Sequence, residues 1–264
     1  MCKAFSGVIV RSRKVYWKAG MDSHSDIYEH FRLSDSEQGK TCPFEISPKN
    51  GNYISPDEWV FKFDDGIPEW WKQSHETACW SAFRKWKKEF YSKINLKEAR
   101  KPVNPFNIKP PKITKKHIKL LKEWASISDS VEGSVVGSVG TSVYLSVVDS
   151  VYLSFMDSVV DSVGTSVGTS VYLSVVDLVV ARDSVVDSVL DSVYAYIGSL
   201  FKLTRKQWKH TSKIKTKGYP FMPAVKLWKM GLVPSFDGEV WRLYGGKKAK
   251  VLYEITEKEL RKVK

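Results

Sequence analysis

The chain has 264 residues, with 42 Lys plus Arg, 29 Asp plus Glu, three cysteines and a formal net charge of +13 at pH 7. It contains no run of about 18 consecutive apolar residues and begins without a charged and then apolar leader, so we expect neither a membrane-spanning helix nor a signal peptide. Three scattered cysteines do not make a disulfide framework, which predicts a reducing, cytoplasmic location.

Residues 1–100 are predicted to form a small α+β domain. The strand predictions rest on alternating apolar residues beside turn signals, and the main helix prediction rests on an apolar stripe that includes Phe83 and Trp86. The expected elements are a hairpin of residues 4–10 and 14–18, a short helix capped at Ser23, strands over 44–46 and 58–63, and an amphipathic helix over 75–93.

A linker and a helix are predicted next. Residues 101–113 contain four prolines, which favour an extended linker. Residues 114–125 predict a helix with Thr114 as its N-cap and with Leu121 and Trp124 on one apolar side. We interpret this helix as a cap on the regular segment that follows.

The middle of the chain is a tetrapeptide array. Serine recurs at every fourth position from Ser126 to Ser174, in thirteen consecutive units, and Val follows it in all but two of them. Three further Ser-Val units follow Arg182. Four residues turn an α-helix by about 400°, so the Val stripe drifts by about 40° per unit and leaves no fixed apolar face on a long helix. In one extended strand, Val would share a face with the Asp, Gly or Thr at the fourth position.

A β-solenoid satisfies these constraints, because each Val-centred segment can form one side of a coil with Val pointing inward. The array resembles the pentapeptide-repeat proteins, and this resemblance implies a right-handed β-helix, here built from four-residue repeats. The flanks bear a faint resemblance to uncharacterised phage and bacterial repeat proteins. We therefore expect residues 126–193 to form a β-solenoid; the alternative is a disordered low-complexity expansion, against which the many β-branched residues argue.

The end of the chain predicts a second cap and a second mixed module. Residues 194–204 continue a helical apolar spacing, and residues 205–264 are predicted to be a basic α+β module. The module's expected elements are a helix from Pro223 to Gly231, strands over 240–244 and 249–255, and a last helix whose capping box is Thr256 and Glu259. The expected fold class is therefore α+β ends with a central all-β solenoid, and helices capping both ends of the solenoid.

The net charge is unevenly distributed along the chain. Residues 126–197 carry −8, whereas residues 1–125 carry +9 and residues 198–264 carry +12. All ten tryptophans lie outside the array. The sequence thus predicts an acidic rod between two basic ends.

Two basic runs are candidate nucleic-acid-binding segments. Residues 84–122 include 14 basic and two acidic residues, and residues 202–217 include seven basic residues and no acidic one. Trp208 lies in the second run and could stack on a base, as aromatic residues do in single-strand binders. No recognition motif is complete, so binding would depend on phosphate contacts. The candidate residues are Arg84, Lys85, Lys87, Lys88, Arg205, Lys206, Trp208, Lys209, Lys213, Lys215 and Lys217.

Metal and cofactor signals are incomplete. His75 and Cys79 share a helix face, but no further ligands follow at a zinc-site spacing. A second group of metal-ligating residue types also lacks further ligands at a familiar spacing; it consists of Asp22, His24 and Asp26. Nucleotide-binding and hydrolase motifs are missing from the sequence. We predict no metal and no cofactor.

These observations favour a non-enzymatic scaffold or binding protein. Its rigid acidic rod would carry basic ends that contact a polyanion such as nucleic acid, or neighbouring copies in a homo-oligomer, without a membrane partner. One alternative is an enzyme in which Cys2, exposed as the first residue after removal of Met1, is the nucleophile. Another alternative is a DNA mimic that inhibits a DNA-binding enzyme, which some acidic pentapeptide-repeat relatives would imply.

Overall fold

A computed structural model describes residues 5–21, 23–33, 39–49, 51–128, 130, 147, 151, 157–167, 175, 179 and 186–263. The chain divides into two compact units, one of Met1–Ile94 with Phe155–Ser162 and one of Asn95–Ser154 with Val163–Lys264. Within the described ranges, no helix has the length and apolar character needed to cross a membrane.

The N-terminal unit contains a four-stranded antiparallel sheet in the order β2-β1-β3-β4. Arg13 adopts the left-handed conformation (φ 69°) in the turn that joins the first two strands, and its N–H donates to Val10 O over 2.8 Å. The hairpin predicted at residues 4–10 and 14–18 is therefore present. The strands are β1 (Phe5–Val10), β2 (Val15–Tyr16), β3 (Thr41–Pro48) and β4 (Trp59–Phe63).

The two faces of this sheet carry different residues. Helix α2 (Gln73–Tyr91) buries Phe83 and Trp86 against Phe5 of β1, with ring centroids 5.7 and 5.4 Å from the Phe5 ring. Strand alternation sends Glu45 to the face opposite its neighbour Phe44. Helix α1 (His24–Phe31) contacts β1 and buries Ile27 completely.

The C-terminal unit combines a three-stranded antiparallel sheet, in the order β5-β6-β7, with several helices. Helix α4 packs on α7, and α6 packs on both α7 and β5. Trp124, Phe221 and Trp228 are buried in this core. The elements of this unit are α3 (Leu96–Arg100), α4 (Lys115–Ser128), α6 (Val186–Gly198), α7 (Met222–Lys229), β5 (Leu232–Phe236), β6 (Val240–Gly245), β7 (Lys250–Thr256) and α8 (Glu257–Lys262). Helix α5 (Asp157–Val167) is divided between the two units, with residues 157–162 in the first and residues 163–167 in the second.

The predicted β-solenoid is wrong, and so is the β-helix implied by the pentapeptide-repeat resemblance. Helix α5 and the first eight residues of α6 (186–193) belong to the repeat array, and the described residues of the array at 147, 151, 175 and 179 are also helical. None of the array residues that the structure describes lies in a strand. The described parts of the chain therefore form two small antiparallel sheets with helices, and the helices at residues 115–128 and 186–198 are core elements of a mixed unit rather than solenoid caps.

Because the described helices are short, the drift of the Val stripe around the helix does not prevent a helical fold. The side chains of Val189, Val193 and Ile197 recur every fourth residue in α6 and are all at least nine-tenths buried. Two steps of about 40° displace the stripe by only about 80°, which still fits one apolar face. A period of four excludes a long straight helix with one buried face, but it permits helices of 11 and 13 residues.

Two serines of α6 form hydrogen bonds with the outer edge of strand β5. Strand β5 lies at one side of its sheet, and its outer edge presents backbone groups that need partners. Ser192 Oγ donates to Pro234 O over 3.2 Å, and Ser188 Oγ accepts from Phe236 N–H at 2.8 Å. The repeated serine thus joins a helix to a sheet edge, which explains how a polar residue is tolerated at a buried position.

The segment predicted to be a linker is fixed to this unit. Val103 N–H donates to the Tyr196 hydroxyl oxygen over 2.8 Å, and the Trp228 indole N–H donates to Val103 O over 2.8 Å. The two aromatic rings stack with centroids 5.3 Å apart. The proline-rich chain around Val103 is therefore held by specific hydrogen bonds from the core.

Candidate polyanion-binding cleft

Helix α4 supplies one wall of a cleft in the C-terminal unit. The helix begins after Thr114, whose backbone N–H donates to His117 Nδ1 over 3.0 Å. Burial lowers the pKa of His117, which favours the neutral imidazole that this bond requires. Leu121 and Trp124 face the core, so that Lys119 and Lys122 lie on the other side of the helix, along the cleft.

An irregular loop supplies the opposite wall. Ile214 is buried and anchors the loop, while its neighbours Lys213 and Lys215 are exposed. Arg205 donates hydrogen bonds to Thr211 Oγ1 (2.6 Å), Ile214 O (3.0 Å) and Thr216 O (3.3 Å). Arg205, which the sequence suggested as a phosphate ligand, therefore holds the backbone that presents the two lysines.

Trp208 lies beneath this loop rather than on the surface. Its side chain is buried, with only 4% of the residue exposed, and its ring meets the Tyr219 ring edge-on at 4.8 Å. The Tyr219 hydroxyl donates to Ala195 O over 2.6 Å, and burial raises the Tyr219 pKa well above its ordinary value. Trp208 has no exposed face for a base, so the expected stacking role does not fit this structure.

The cleft has a volume of about 900 Å³ and is strongly basic. Five lysines and one glutamate contribute its charged side chains, and its apolar floor includes Ile127, Met222 and Pro223. The charged lining residues are Lys119, Lys122, Glu123, Lys213, Lys215 and Lys226.

Four of the five cleft lysines keep their ammonium groups available. Lys122 is the exception, because its Nζ donates to Arg261 O (3.0 Å) and to Val263 O (2.5 Å) and so holds the end of α8. Considering only residues that the structure describes, the other four make no ion pair. Unpaired like charges around one cavity repel each other, and an anion in the cleft relieves that repulsion.

The structure brings together parts of both predicted basic runs. Lys213 and Lys215 were candidates from the sequence, and Lys119 belongs to the first run without having been singled out. Lys226 was missed, because it lies outside both basic runs and only the packing of α7 against α4 places it here. The remaining candidates of the second run, Lys206, Lys209 and Lys217, are exposed outside the cleft lining.

The basic residues of α2 belong to the N-terminal unit and are considered separately. Arg84, Lys85 and Lys88 are exposed on this helix. Lys87 Nζ lies 2.5 Å from the Asp57 carboxylate and is therefore already paired. Arg84, Lys85 and Lys88 thus form a solvated helix face.

The candidate metal ligands on α2 are used in other contacts, since His75 is hydrogen-bonded through both ring nitrogens and Cys79 is buried in the core. His75 Nδ1 accepts from Lys72 N–H and His75 Nε2 donates to Arg11 O, both over 3.0 Å. Cys79 is completely buried, and burial raises its pKa far above the ordinary value; burial likewise raises the pKa of Cys42 to about 11. Both thiols are therefore held in their unreactive protonated form.

Cys2 and Asp22 lie outside the described residues, so the predictions that concern them stay predictions. His24, in contrast, lies close to two carboxylates that the sequence did not associate with it. The ligating atoms of His24, Glu45 and Asp64 all lie within 4.8 Å of one another. This cluster was missed because its members are separated by about 20 residues each along the chain; the pairing of β3 with β4 and the hydrogen bond between His24 Nε2 and Phe44 O bring them together.

No family model, curated protein or solved structure matches the chain. Its function is therefore inferred from the residues of the cleft and of the histidine cluster.

Proposed function

We propose that the protein binds the phosphate backbone of a nucleic acid in the lysine-lined cleft of its C-terminal unit. The observation that carries this proposal is the convergence on one cavity of four lysines from α4, α7 and the loop at residues 211–221, none of which forms an ion pair with a residue that the structure describes. Ammonium groups bind phosphates as point charges, and each contact releases a condensed counterion.

The same lining argues for binding without sequence readout. Lysine supplies donors without the planar fork that reads a guanine edge, and Trp208 is buried away from the cavity. The apolar floor of Ile127, Met222 and Pro223 can pack against sugar carbons. We therefore expect affinity that depends on charge and salt much more than on base sequence.

The lining of this cleft also supports ligand binding better than it supports catalysis. Its described lining residues include no His, Cys or Asp, and the hydroxyl of Tyr219 is already donated to Ala195 O. A nucleophile paired with a base is the usual requirement for covalent catalysis. The Ser126 and Ser130 hydroxyls of the lining donate to the backbone oxygens of Lys122 (3.0 Å) and Ser126 (2.7 Å) and not to a base, which favours the scaffold or binding interpretation over an enzymatic one.

The experiment compares two triple variants of the full chain. Lys119, Lys213 and Lys215 are changed to Gln in the cleft variant, and the control carries the same change at Lys247, Lys248 and Lys250, which are exposed near the β6–β7 turn. The variants have equal charge. Circular dichroism verifies that both remain folded, and fluorescence anisotropy measures their binding to a labelled 20-nucleotide oligothymidylate.

We expect the cleft variant to bind at least roughly tenfold more weakly than the wild type, because three phosphate contacts are lost. The control should lose much less, because its lysines act only through long-range attraction, which salt screens over about 8 Å at physiological ionic strength. Equal losses in the two variants would show that net charge, and not the cleft, determines binding, and would overturn the proposal.

A further inference from the structure

The N-terminal unit places one imidazole and two carboxylates on the same face of its sheet. Glu45 lies in β3, and Asp64 directly follows β4, where its N–H still donates to Pro43 O over 3.3 Å. Glu45 and Pro43 are two residues apart and so share a face, which is the face opposite Phe44. His24 is the first residue of α1 and reaches this face from the helix.

The His24 ring is held by both of its nitrogens. Nε2 lies 3.1 Å from Phe44 O, and Nδ1 lies 2.9 Å from the Asp64 carboxylate. The imidazole side chain is only 11% exposed, whereas that of Asp64 is 48% exposed. A nearly buried ring in a fixed orientation thus faces a carboxylate that can adjust its position.

The bond to Phe44 O fixes which nitrogen carries a proton. A carbonyl oxygen only accepts, so Nε2 must be the N–H donor. In the neutral ring, Nδ1 then presents a lone pair to the lone pairs of the Asp64 carboxylate, an arrangement that is repulsive at 2.9 Å. A positive charge is needed beside both atoms, and it is either a second ring proton within the 2.9 Å contact or a metal ion that lies to one side of the line joining the two atoms.

Glu45 favours the metal ion over the proton. A proton on Nδ1 offsets one carboxylate, but the cluster has two, and its ligating atoms all lie within 4.8 Å. Lys62 lies directly opposite Glu45 in the register of β3 and β4, yet among the described residues it makes no ion pair with Glu45. A divalent cation offsets both carboxylate charges at once.

The orientation of the ring is also the one that metal-binding histidines adopt. A ligating imidazole commonly donates its second N–H to a backbone carbonyl, which fixes the tautomer and aims the free lone pair at the metal. The Nε2 to Phe44 O bond has this role here, with Nδ1 as the free donor atom.

We propose that His24 Nδ1 and one carboxylate oxygen each of Glu45 and Asp64 form a site for a first-row divalent transition-metal ion. One imidazole with two carboxylates suits Mn²⁺, Fe²⁺ or Zn²⁺ better than Ca²⁺, which prefers oxygen ligands alone. Ligands at about 2.1 Å from a shared ion are about 3 to 4 Å apart, so a small movement of the half-exposed Asp64 side chain completes the geometry. Water fills the remaining positions.

The test is a titration of the full chain with Mn²⁺, in which electron paramagnetic resonance measures the free ion. His24→Gln removes the nitrogen ligand, and Asp64→Asn and Glu45→Gln each remove a charged ligand at constant shape. His30→Gln is the matched control, because His30 is an exposed imidazole on the same helix. Circular dichroism verifies the fold of each variant, and Zn²⁺ is then added to displace bound Mn²⁺.

We expect one Mn²⁺ per wild-type chain and per His30→Gln chain, and at least tenfold weaker binding in each of the three ligand variants, with displacement by Zn²⁺. Two results would overturn the proposal. One is His24→Gln binding Mn²⁺ as the wild type does. The other is the absence of stoichiometric binding while nitrogen NMR at neutral pH shows both His24 ring nitrogens protonated, which would assign the cluster to an ion pair alone. Neither result bears on the lysine cleft, since the two sites use different residues.

Discussion

Replacing Tyr196 with phenylalanine removes a single hydroxyl group from the core of the C-terminal unit. The oxygen of that hydroxyl accepts from Val103 N–H over 2.8 Å, and Trp228, stacked on the same ring, donates to Val103 O over 2.8 Å. Burial raises the pKa of the Tyr196 hydroxyl well above its usual value, so it stays protonated throughout the working pH range.

The expected loss in the free energy of unfolding follows from the Val103 N–H, which remains without an acceptor. Phenylalanine preserves the ring and its stacking, so no large cavity forms, but the Val103 N–H loses its acceptor. An orphaned backbone donor costs about 1–3 kcal/mol when buried, and since Val103 is half-buried we expect about 1–2 kcal/mol. For a unit of this size, that loss lowers the midpoint of thermal unfolding by about 2–8 °C.

The assay is urea unfolding monitored by far-ultraviolet circular dichroism, with the thermal midpoint as a second measure. Tyr253→Phe is the control, because Tyr253 is a half-buried tyrosine on β7 whose hydroxyl makes no hydrogen bond to any residue that the structure describes. The control should change the free energy of unfolding by less than about 0.5 kcal/mol. If Tyr196→Phe were no more destabilising than Tyr253→Phe, the hydrogen bonds that fix the proline-rich segment would contribute nothing, and the reasoning would be refuted.

Three further predictions concern acid stability and the repeat helices. Burial alone would raise the pKa of Asp237, but hydrogen bonds from two backbone N–H groups and from the Arg242 guanidinium hold it at about 2, below the ordinary 3.8, so stability should be lost as the pH falls from about 4 to about 2. Asp237→Asn should flatten that loss in acid unfolding curves. Burial lowers the pKa of His117 below 6.5, so the folded state holds the proton less tightly than the unfolded state; the free energy of unfolding should fall as the pH drops from 7.5 to 5.5, and less steeply in His117→Gln. Val193→Ala removes buried apolar atoms from α6 and should cost about 2 kcal/mol in urea unfolding, whereas Thr165→Ala, at an exposed position of α5, should cost less than about 0.5 kcal/mol; equal effects would contradict the helical assignment of the repeats.

Elements with strong local signals were predictable from sequence. The alternation of apolar residues located the first hairpin, and the apolar stripe located α2. The capping box also formed as expected, because Glu259 N–H donates to Thr256 Oγ1 over 3.3 Å and Thr256 N–H donates to Glu259 Oε2 over 3.2 Å. Each of these depends on residues a few positions apart, so the sequence contains the whole interaction.

The array was predicted wrongly because its fold depends on length and partners. A period of four drifts around a long helix, but α6 has only 13 residues and meets a sheet edge that takes its serines as hydrogen-bond partners. Neither the length of the described helices nor the free edge of β5 is visible in the repeat itself. The resemblance to pentapeptide-repeat proteins therefore implied a β-helix, whereas the described residues of the array are helical or lie in turns.

The candidate site was only partly predictable for a similar reason. The basic runs were evident, but Lys119 and Lys213 are nearly a hundred residues apart and meet because α4 packs on α7. The direction in which Trp208 points depends on its contact with Tyr219. The sequence indicated basic segments that could bind a polyanion. Which of their lysines line one cavity, and whether Trp208 is buried, depends on the tertiary packing.

The salt dependence of oligonucleotide binding tests the central claim most directly. The logarithm of the binding constant for single-stranded DNA falls with the logarithm of salt concentration by about 0.7 per phosphate contact. The variant with Gln at positions 119, 213 and 215 should therefore have a slope smaller than that of the wild type by about 2, while the variant with Gln at 247, 248 and 250 should keep the wild-type slope. Identical slopes in all three proteins would contradict a nucleic-acid-binding cleft at these lysines.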